Sequence, residues 1–149
     1  MADNVYLGNP NLKKANTPIE FTEEQVIEFL KCKDDPVYFA NNYIKIVSLD
    51  EGLTQFHPYH FQEKLINNFH ENRFNICKMP RQTGKSTTVV SYLLHYAVFN
   101  DSVNIGILAN KAATARELLG RLQTAYENLP KWMQQGIISW NKGSLELEN

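Results

Sequence analysis

Residues 78–87 read Lys-Met-Pro-Arg-Gln-Thr-Gly-Lys-Ser-Thr, and this stretch decides the fold. Its Gly84-Lys85-Ser86 matches the end of the phosphate-binding loop pattern GxxxxGK followed by Ser or Thr, with Met79 in the place of the first glycine. In such loops the glycine lets the backbone approach phosphate, the lysine binds the β- and γ-phosphates, and the hydroxyl ligates Mg²⁺. The pattern therefore predicts a site for ATP and Mg²⁺ at this loop.

The residues around the loop predict an α/β fold with a parallel sheet. A short apolar strand (74–78) precedes the loop, and a helix with apolar Val89, Val90, Leu93, Leu94 and Ala97 follows it. A second strand, 103–109, is almost continuously apolar, as a strand buried on both faces should be. A helix over about 112–128 comes next. Strand, helix, strand and helix at these lengths indicate right-handed crossovers.

Three regions are predicted along the chain. Residues 1–20 are rich in Asn and Pro without a period, and predict an extended arm. Residues 21–56 predict a helical lead-in with a capping box at Thr22 and Gln25, a second helix opened by Asp35-Pro36, and a short hairpin. Residues 57–149 predict the loop-bearing region. It starts with a helix from Pro58, whose apolar stripe is Phe61, Leu65, Ile66 and Phe69, and it ends in a hairpin turning at 141–143. Glu146 and Glu148 share a face of the last predicted strand, which alternation places in solvent.

Composition is that of one soluble, intracellular domain. The chain has 149 residues, 43% hydrophobic and 21% charged, and no run approaches the ~20 apolar residues of a membrane span. Its net charge of -1 gives no support for DNA binding and excludes no local basic patch. Cys32 and Cys77, without a signal peptide, are interpreted as reduced structural cysteines.

Arg81 lies in the body of the loop, and its position leaves two interpretations open. It can fold over the γ-phosphate as an arginine finger in cis, stabilising charge on the transferred phosphoryl group. It can equally be a solvated arginine at an exposed loop tip. Gln62 is a candidate for contacting the base, because a carboxamide offers the donor and the acceptor that the adenine edge requires. The alternative for Gln62 is an exposed helix glutamine.

Four stretches together resemble the large terminase of tailed bacteriophages of the contractile-tailed, myovirus type. They are DDPVYFANNYI (34–44), MPRQTGKST (79–87), IGILANK (105–111) and LPKWMQQGIISWNKGSLELEN (129–149). The resemblance covers about Asn11 to Asn149. It implies a P-loop NTPase fold of the RecA/helicase-like ASCE type, and an ATP-driven motor that packages viral DNA into the procapsid.

The resemblance also implies roles for individual residues. Arg81 corresponds to an arginine assigned to ATP hydrolysis, Lys85 to the phosphate-binding lysine, Ser86 to the magnesium ligand and Gln62 to an adenine contact, while His57 stands where the family often has a second glutamine. Arg81 and Lys85 are thus the catalytic candidates. The nucleotide-binding candidates are Gln62, Met79, Pro80, Arg81, Gln82, Thr83, Gly84, Lys85, Ser86 and Thr87.

The partners implied are double-stranded phage DNA, the portal protein, the small terminase subunit and further copies in a ring, in the host cytoplasm at the procapsid portal. In the family, the carboxylates that hold magnesium and orient water follow the terminal hairpin, and a nuclease domain lies further along. We therefore expect this sequence to be the N-terminal part of the ATPase, binding nucleotide and hydrolysing it poorly.

Three other functions fit parts of the sequence. A helicase-like, nucleic-acid-dependent ATPase shares the order of glutamine segment, loop and second strand, but helicases usually supply their arginines from a later domain than the one bearing Arg81. A small nucleotide kinase would need a lid and an acceptor pocket where this chain has a long helix and a hairpin. A non-catalytic docking module would bind its partner through the Asn-rich arm.

Overall fold

The computed structural model describes residues 4–48 and 50–149. Its helices are α1 (Glu23–Asp34), α2 (Pro36–Tyr43), α3 (His60–Glu71), α4 (Lys85–Phe99) and α5 (Ala112–Glu127). Its strands are β1 (Val5–Tyr6), β2 (Asn9–Lys13), β3 (Lys45–Ser48), β4 (Gly52–Gln55), β5 (Ile137–Trp140) and β6 (Leu145–Leu147). Within these residues the strands form three two-stranded antiparallel sheets, β1–β2, β3–β4 and β5–β6.

The first two helices begin where the sequence predicts. The Thr22 hydroxyl accepts a hydrogen bond from the Gln25 backbone N–H at 3.2 Å, and the Gln25 side chain accepts one from the Thr22 N–H at 3.1 Å. At the start of α2, the Asp35 carboxylate accepts from the Tyr38 N–H at 2.8 Å, with Pro36 in the first turn. These side chains satisfy backbone donors that a helix N-terminus otherwise leaves unpaired. The capping prediction is confirmed.

The core is built around α4, the helix that follows the phosphate loop. This helix packs against α2, α3 and α5, and its Leu94 and Val98 are fully buried together with Phe39 of α2 and Tyr126 of α5. Burial of such side chains stabilises the fold by about 1.5–3 kcal/mol each. The element that carries the loop is therefore the best-anchored helix of the molecule.

The two predicted hairpins are present. In β3–β4 the register runs from Lys45 opposite Gln55 to Ser48 opposite Gly52. Leu49, within the region 21–56 for which this hairpin is predicted, lies outside the described residues. In β5–β6 the turn is held by Asn141, whose side-chain oxygen accepts from the backbone N–H groups of residues 143 and 144 at 2.9 Å. Local turn chemistry was sufficient to predict both.

The N-terminal region differs from the predicted extended arm. Strands β1 and β2 form a hairpin, and Leu12 is buried against the rest of the chain. The Lys13 backbone N–H donates to the Gln134 side-chain oxygen at 3.0 Å, and the Gln134 amide donates to the Asn11 carbonyl at 2.8 Å. The partner that orders this region is more than 120 residues away, so a local pattern could not reveal it.

Glu148 corrects another prediction, that of a solvated face. Its carboxylate accepts from the backbone N–H of Gly136 at 2.7 Å and of Asn16 at 2.6 Å, and lies 3.3 Å from the Lys13 ammonium. Although partial burial raises the pKa of the Glu148 carboxyl, these backbone and lysine contacts outweigh burial and lower it overall. Glu148 fastens the N-terminal hairpin to the C-terminal one.

The predicted strands at 74–78 and 103–109 lie in no strand of the structure. Several of their apolar side chains are open to solvent: Phe74 is 83% exposed, Ile76 fully and Leu108 91%, while Val103 and Ile107 are half-buried. A strand requires a hydrogen-bonded neighbour, and neither segment has one among the described residues. The structure therefore forms no strand at either segment, and the parallel sheet stays a prediction.

The longest described helix, α5, has 16 residues. No helix in the part of the chain that the structure describes has both the length and the apolar character needed to cross a bilayer.

Both cysteines are free. Burial raises the pKa of the Cys32 thiol to about 12, which makes it an unreactive thiol.

Candidate nucleotide site

The loop over residues 79–84 turns sharply into α4. Gly84, the residue preceding the helix, has φ +71°, and Gln82 has φ +61°. A glycine takes this left-handed conformation without steric cost, which is why the last loop position suits one. The first backbone N–H groups of α4 have no acceptor inside the helix and carry its positive dipole end. The loop therefore presents donors suited to an anion.

Lys85 folds back across the loop that precedes it. Its ammonium donates to the Met79 carbonyl at 3.3 Å, so the charge lies over the turn and not in bulk solvent. The Thr83 hydroxyl donates to the Pro80 carbonyl at 3.0 Å, and that of Thr88 to the Gly84 carbonyl at 3.0 Å. These bonds close the loop at both ends. Met79, the departure from the usual glycine, contributes its carbonyl.

The remaining loop candidates differ in exposure. Arg81 and Gln82 are exposed at the tip, while Ser86 and Thr87 are half-buried in the first turn of α4. Among the described residues, Arg81 makes no ion pair. Its guanidinium therefore stays available to an anion, and both interpretations of Arg81 remain open.

Gln62 lies against this loop, as predicted, but it is not exposed. Its side-chain oxygen accepts from the Tyr59 N–H at 2.9 Å, and its amide donates to the Thr83 carbonyl at 3.4 Å. Only 3% of the residue is exposed. Both ends of the carboxamide are thus engaged within the protein. His57, at the position of the second family glutamine, is exposed.

The sequence analysis missed an aromatic pair beside the loop. The rings of Tyr59 and Phe61 are parallel to within 11°, with centroids 5.9 Å apart, and both are exposed to solvent. The sequence predicts Phe61 in the buried stripe of α3, but Phe61 is exposed. Ile66 of the same stripe is buried. Two aromatic residues two positions apart at a helix start were the available signal. Exposed aromatic faces of this kind can stack a nucleotide base.

The site lies in a basic part of an acidic chain. Residues 72–116 contain six Lys or Arg and only one acidic residue, Asp101, whereas the whole chain has a net charge of -1. This local excess, which the global count conceals, favours anionic ligands. Within the described residues no group of three or more His, Cys, Asp or Glu could hold a metal ion.

A cavity of about 590 Å³ lies away from the phosphate loop, between residues 102–107, α5 and β6. None of the sequence-predicted site residues lines it.

No protein-family model matches the chain.

Proposed function

We propose that the chain is the ATP-binding part of a viral DNA-packaging motor of the large-terminase type. The observation that carries this proposal is the loop itself: Gly84 in a left-handed turn, Lys85 folded back onto the Met79 carbonyl, and a well-anchored helix behind them. This combination places a lysine ammonium and free backbone donors where a triphosphate would lie.

Each loop residue has a role in the proposed site. Lys85 contacts the β- and γ-phosphates, and the Ser86 hydroxyl ligates Mg²⁺. The exposed guanidinium of Arg81 reaches the γ-phosphate and stabilises charge during transfer. None of the proposed residues is a carboxylate, whereas P-loop NTPases also use an aspartate to hold Mg²⁺. The chain is therefore proposed to bind ATP and to hydrolyse it poorly.

The fold proposed for this motor is a P-loop NTPase of the RecA-like type. The segments 74–78 and 103–109 would be its strands, because they are rich in apolar residues, of which Phe74, Ile76 and Leu108 are exposed in this structure and would be buried in such a sheet. The proposed partners are double-stranded phage DNA, portal protein, small terminase subunit and other copies of the chain in a ring. The proposed location is the procapsid portal in the host cytoplasm.

Calorimetric titration with Mg-ATP tests the nucleotide site. The wild-type chain should bind saturably, and Lys85→Ala should weaken binding about 10- to 100-fold, because a hydrogen bond to a charged group is lost. Lys78→Ala is the matched control: it removes an exposed lysine seven positions earlier and should leave binding within about twofold. A folded wild-type chain that does not bind, or equal losses in both variants, would contradict the proposal.

A further inference from the structure

Gln62 is the one predicted base-contacting residue whose hydrogen-bonding groups are already used. The Tyr59 backbone N–H is a donor, so the side-chain oxygen must face it, at 2.9 Å. The amide nitrogen is then directed at the Thr83 carbonyl, 3.4 Å away. A glutamine carboxamide has one acceptor atom and one donor atom. With the residue 3% exposed, neither atom is turned towards solvent.

The same amide also lies against the next residue of the loop. A Cβ added to Gly84 would come within 2.5 Å of the Gln62 amide nitrogen. Gly84 is the last residue before α4, and its backbone sets where the helix N-terminus points. The Gln62 side chain therefore contacts the loop through the Thr83 carbonyl and bounds the space beside Gly84. It connects the first turn of α3 to the turn that presents Lys85.

We infer that Gln62 is a positioning residue, which holds residues 83 and 84 so that the loop keeps its phosphate-binding shape, and that it does not recognise the base. The inference rests on the proposed function and assigns Gln62 a different task at the same site. Groups other than Gln62 then contact the base. Substitution of Gln62 is expected to lower the affinity for the phosphate part of the nucleotide.

Comparison of Mg-ATP with Mg-tripolyphosphate, which has no base, separates the two roles. Gln62→Leu keeps the approximate size and removes both hydrogen bonds, and should weaken both ligands by the same factor, about tenfold. Loss of ATP affinity with unchanged tripolyphosphate affinity would overturn the inference, as would no loss for either. Asn67→Ala, an exposed amide on the same helix, is the control and should change neither affinity.

A double-mutant cycle guards against simple misfolding of one variant. The Cβ added by Gly84→Ala clashes with the Gln62 amide, and the substitution also strains the left-handed backbone. In the Gln62→Ala background the clash is removed and only the backbone strain remains. The loss of tripolyphosphate affinity caused by Gly84→Ala should thus be smaller when Gln62 is alanine. Equal penalties would overturn the inference. If the folded wild-type chain binds neither ligand, the proposed function is contradicted, and the inference that rests on it is contradicted as well.

Discussion

Burial changes the acid–base chemistry of His95, which lies on the buried face of α4. Its Nε2–H donates to the Cys32 carbonyl at 2.9 Å, while its Nδ1 is buried with no partner in the described residues. The rings of Phe39 and Phe99 pack against it. Burial lowers the pKa of His95 to about 4, with the nearby His70 acting in the same direction and the Cys32 carbonyl opposing. The ring is therefore neutral at pH 7.

Stability should fall with acidification because of His95. Its pKa is about 4 in the folded chain and about 6.5 when unfolded, so the unfolded chain binds the extra proton between these values. The free energy of unfolding is thus highest above pH 6.5 and should drop by roughly 3 kcal/mol as the pH falls towards 4. Urea unfolding at pH 7, 6 and 5 measures this.

His95→Gln keeps an amide donor for the Cys32 carbonyl and removes the titration, so its pH dependence should be flatter than that of wild type. His70→Gln, at an exposed position on α3, should keep most of the wild-type slope. A wild-type slope unchanged in His95→Gln would show that another group titrates.

At the loop, Gly84 has a left-handed conformation, Lys85 folds onto the Met79 carbonyl, and Gln62 lies beside them. The role of these residues in binding nucleotide stays a prediction. Prediction for single residues was wrong where the environment decides. The engagement of both ends of Gln62, and the exposure of Phe61, depend on how α3 meets the loop, which no spacing rule specifies.

Among the elements, the N-terminal hairpin shows how distant partners create structure. Its backbone is tied to Gln134 and its end to Glu148. The ladder between β1 and β2 is short, and an isolated hairpin is marginally stable in water. The hairpin therefore depends on contacts with distant parts of the chain, among them those two side chains.

Glu148→Gln should loosen this hairpin. The amide keeps one acceptor oxygen, whereas the carboxylate uses two for the Gly136 and Asn16 N–H groups and lies beside Lys13. We expect the free energy of unfolding to fall by about 1–3 kcal/mol, measured by urea unfolding. Because the pKa of Glu148 is lowered in the folded chain, its contribution is present above the usual carboxyl pKa and lost as pH falls through the lowered one.

Glu146→Gln supplies the comparison, since Glu146 is exposed on β6. Its stability should stay within about 0.5 kcal/mol of wild type. Equal losses of stability in both variants would contradict this prediction, because they would mean that Glu148 contributes only its negative charge and not its hydrogen bonds.

Helix and turn prediction was reliable because capping and turn chemistry are local. The starts of α1 and α2 and the Asn141 turn follow from neighbouring residues alone. Strand prediction at 74–78 and 103–109 was not, since a strand depends on its neighbours as well as on its own side chains. The apolar residues of these segments indicate that their side chains favour burial. They do not identify the neighbouring strands that would bury them.

For the whole molecule, the distribution of charge matters more than its sum. The basic excess over residues 72–116 coincides with the loop and with the segments 74–78 and 103–109, while the rest of the chain is acidic. Nucleotide and any anionic partner are thus expected to bind within this part of the chain. The total of -1 conceals this asymmetry.

The central claim is that the loop over residues 79–87 binds the triphosphate, and amide hydrogen exchange with and without Mg-ATP tests it most directly. The account predicts slower exchange at residues 83–88, where the loop meets α4, and no slowing in Lys85→Ala. Slowing confined to the cavity between residues 102–107, α5 and β6, or none anywhere in a folded chain, would contradict it.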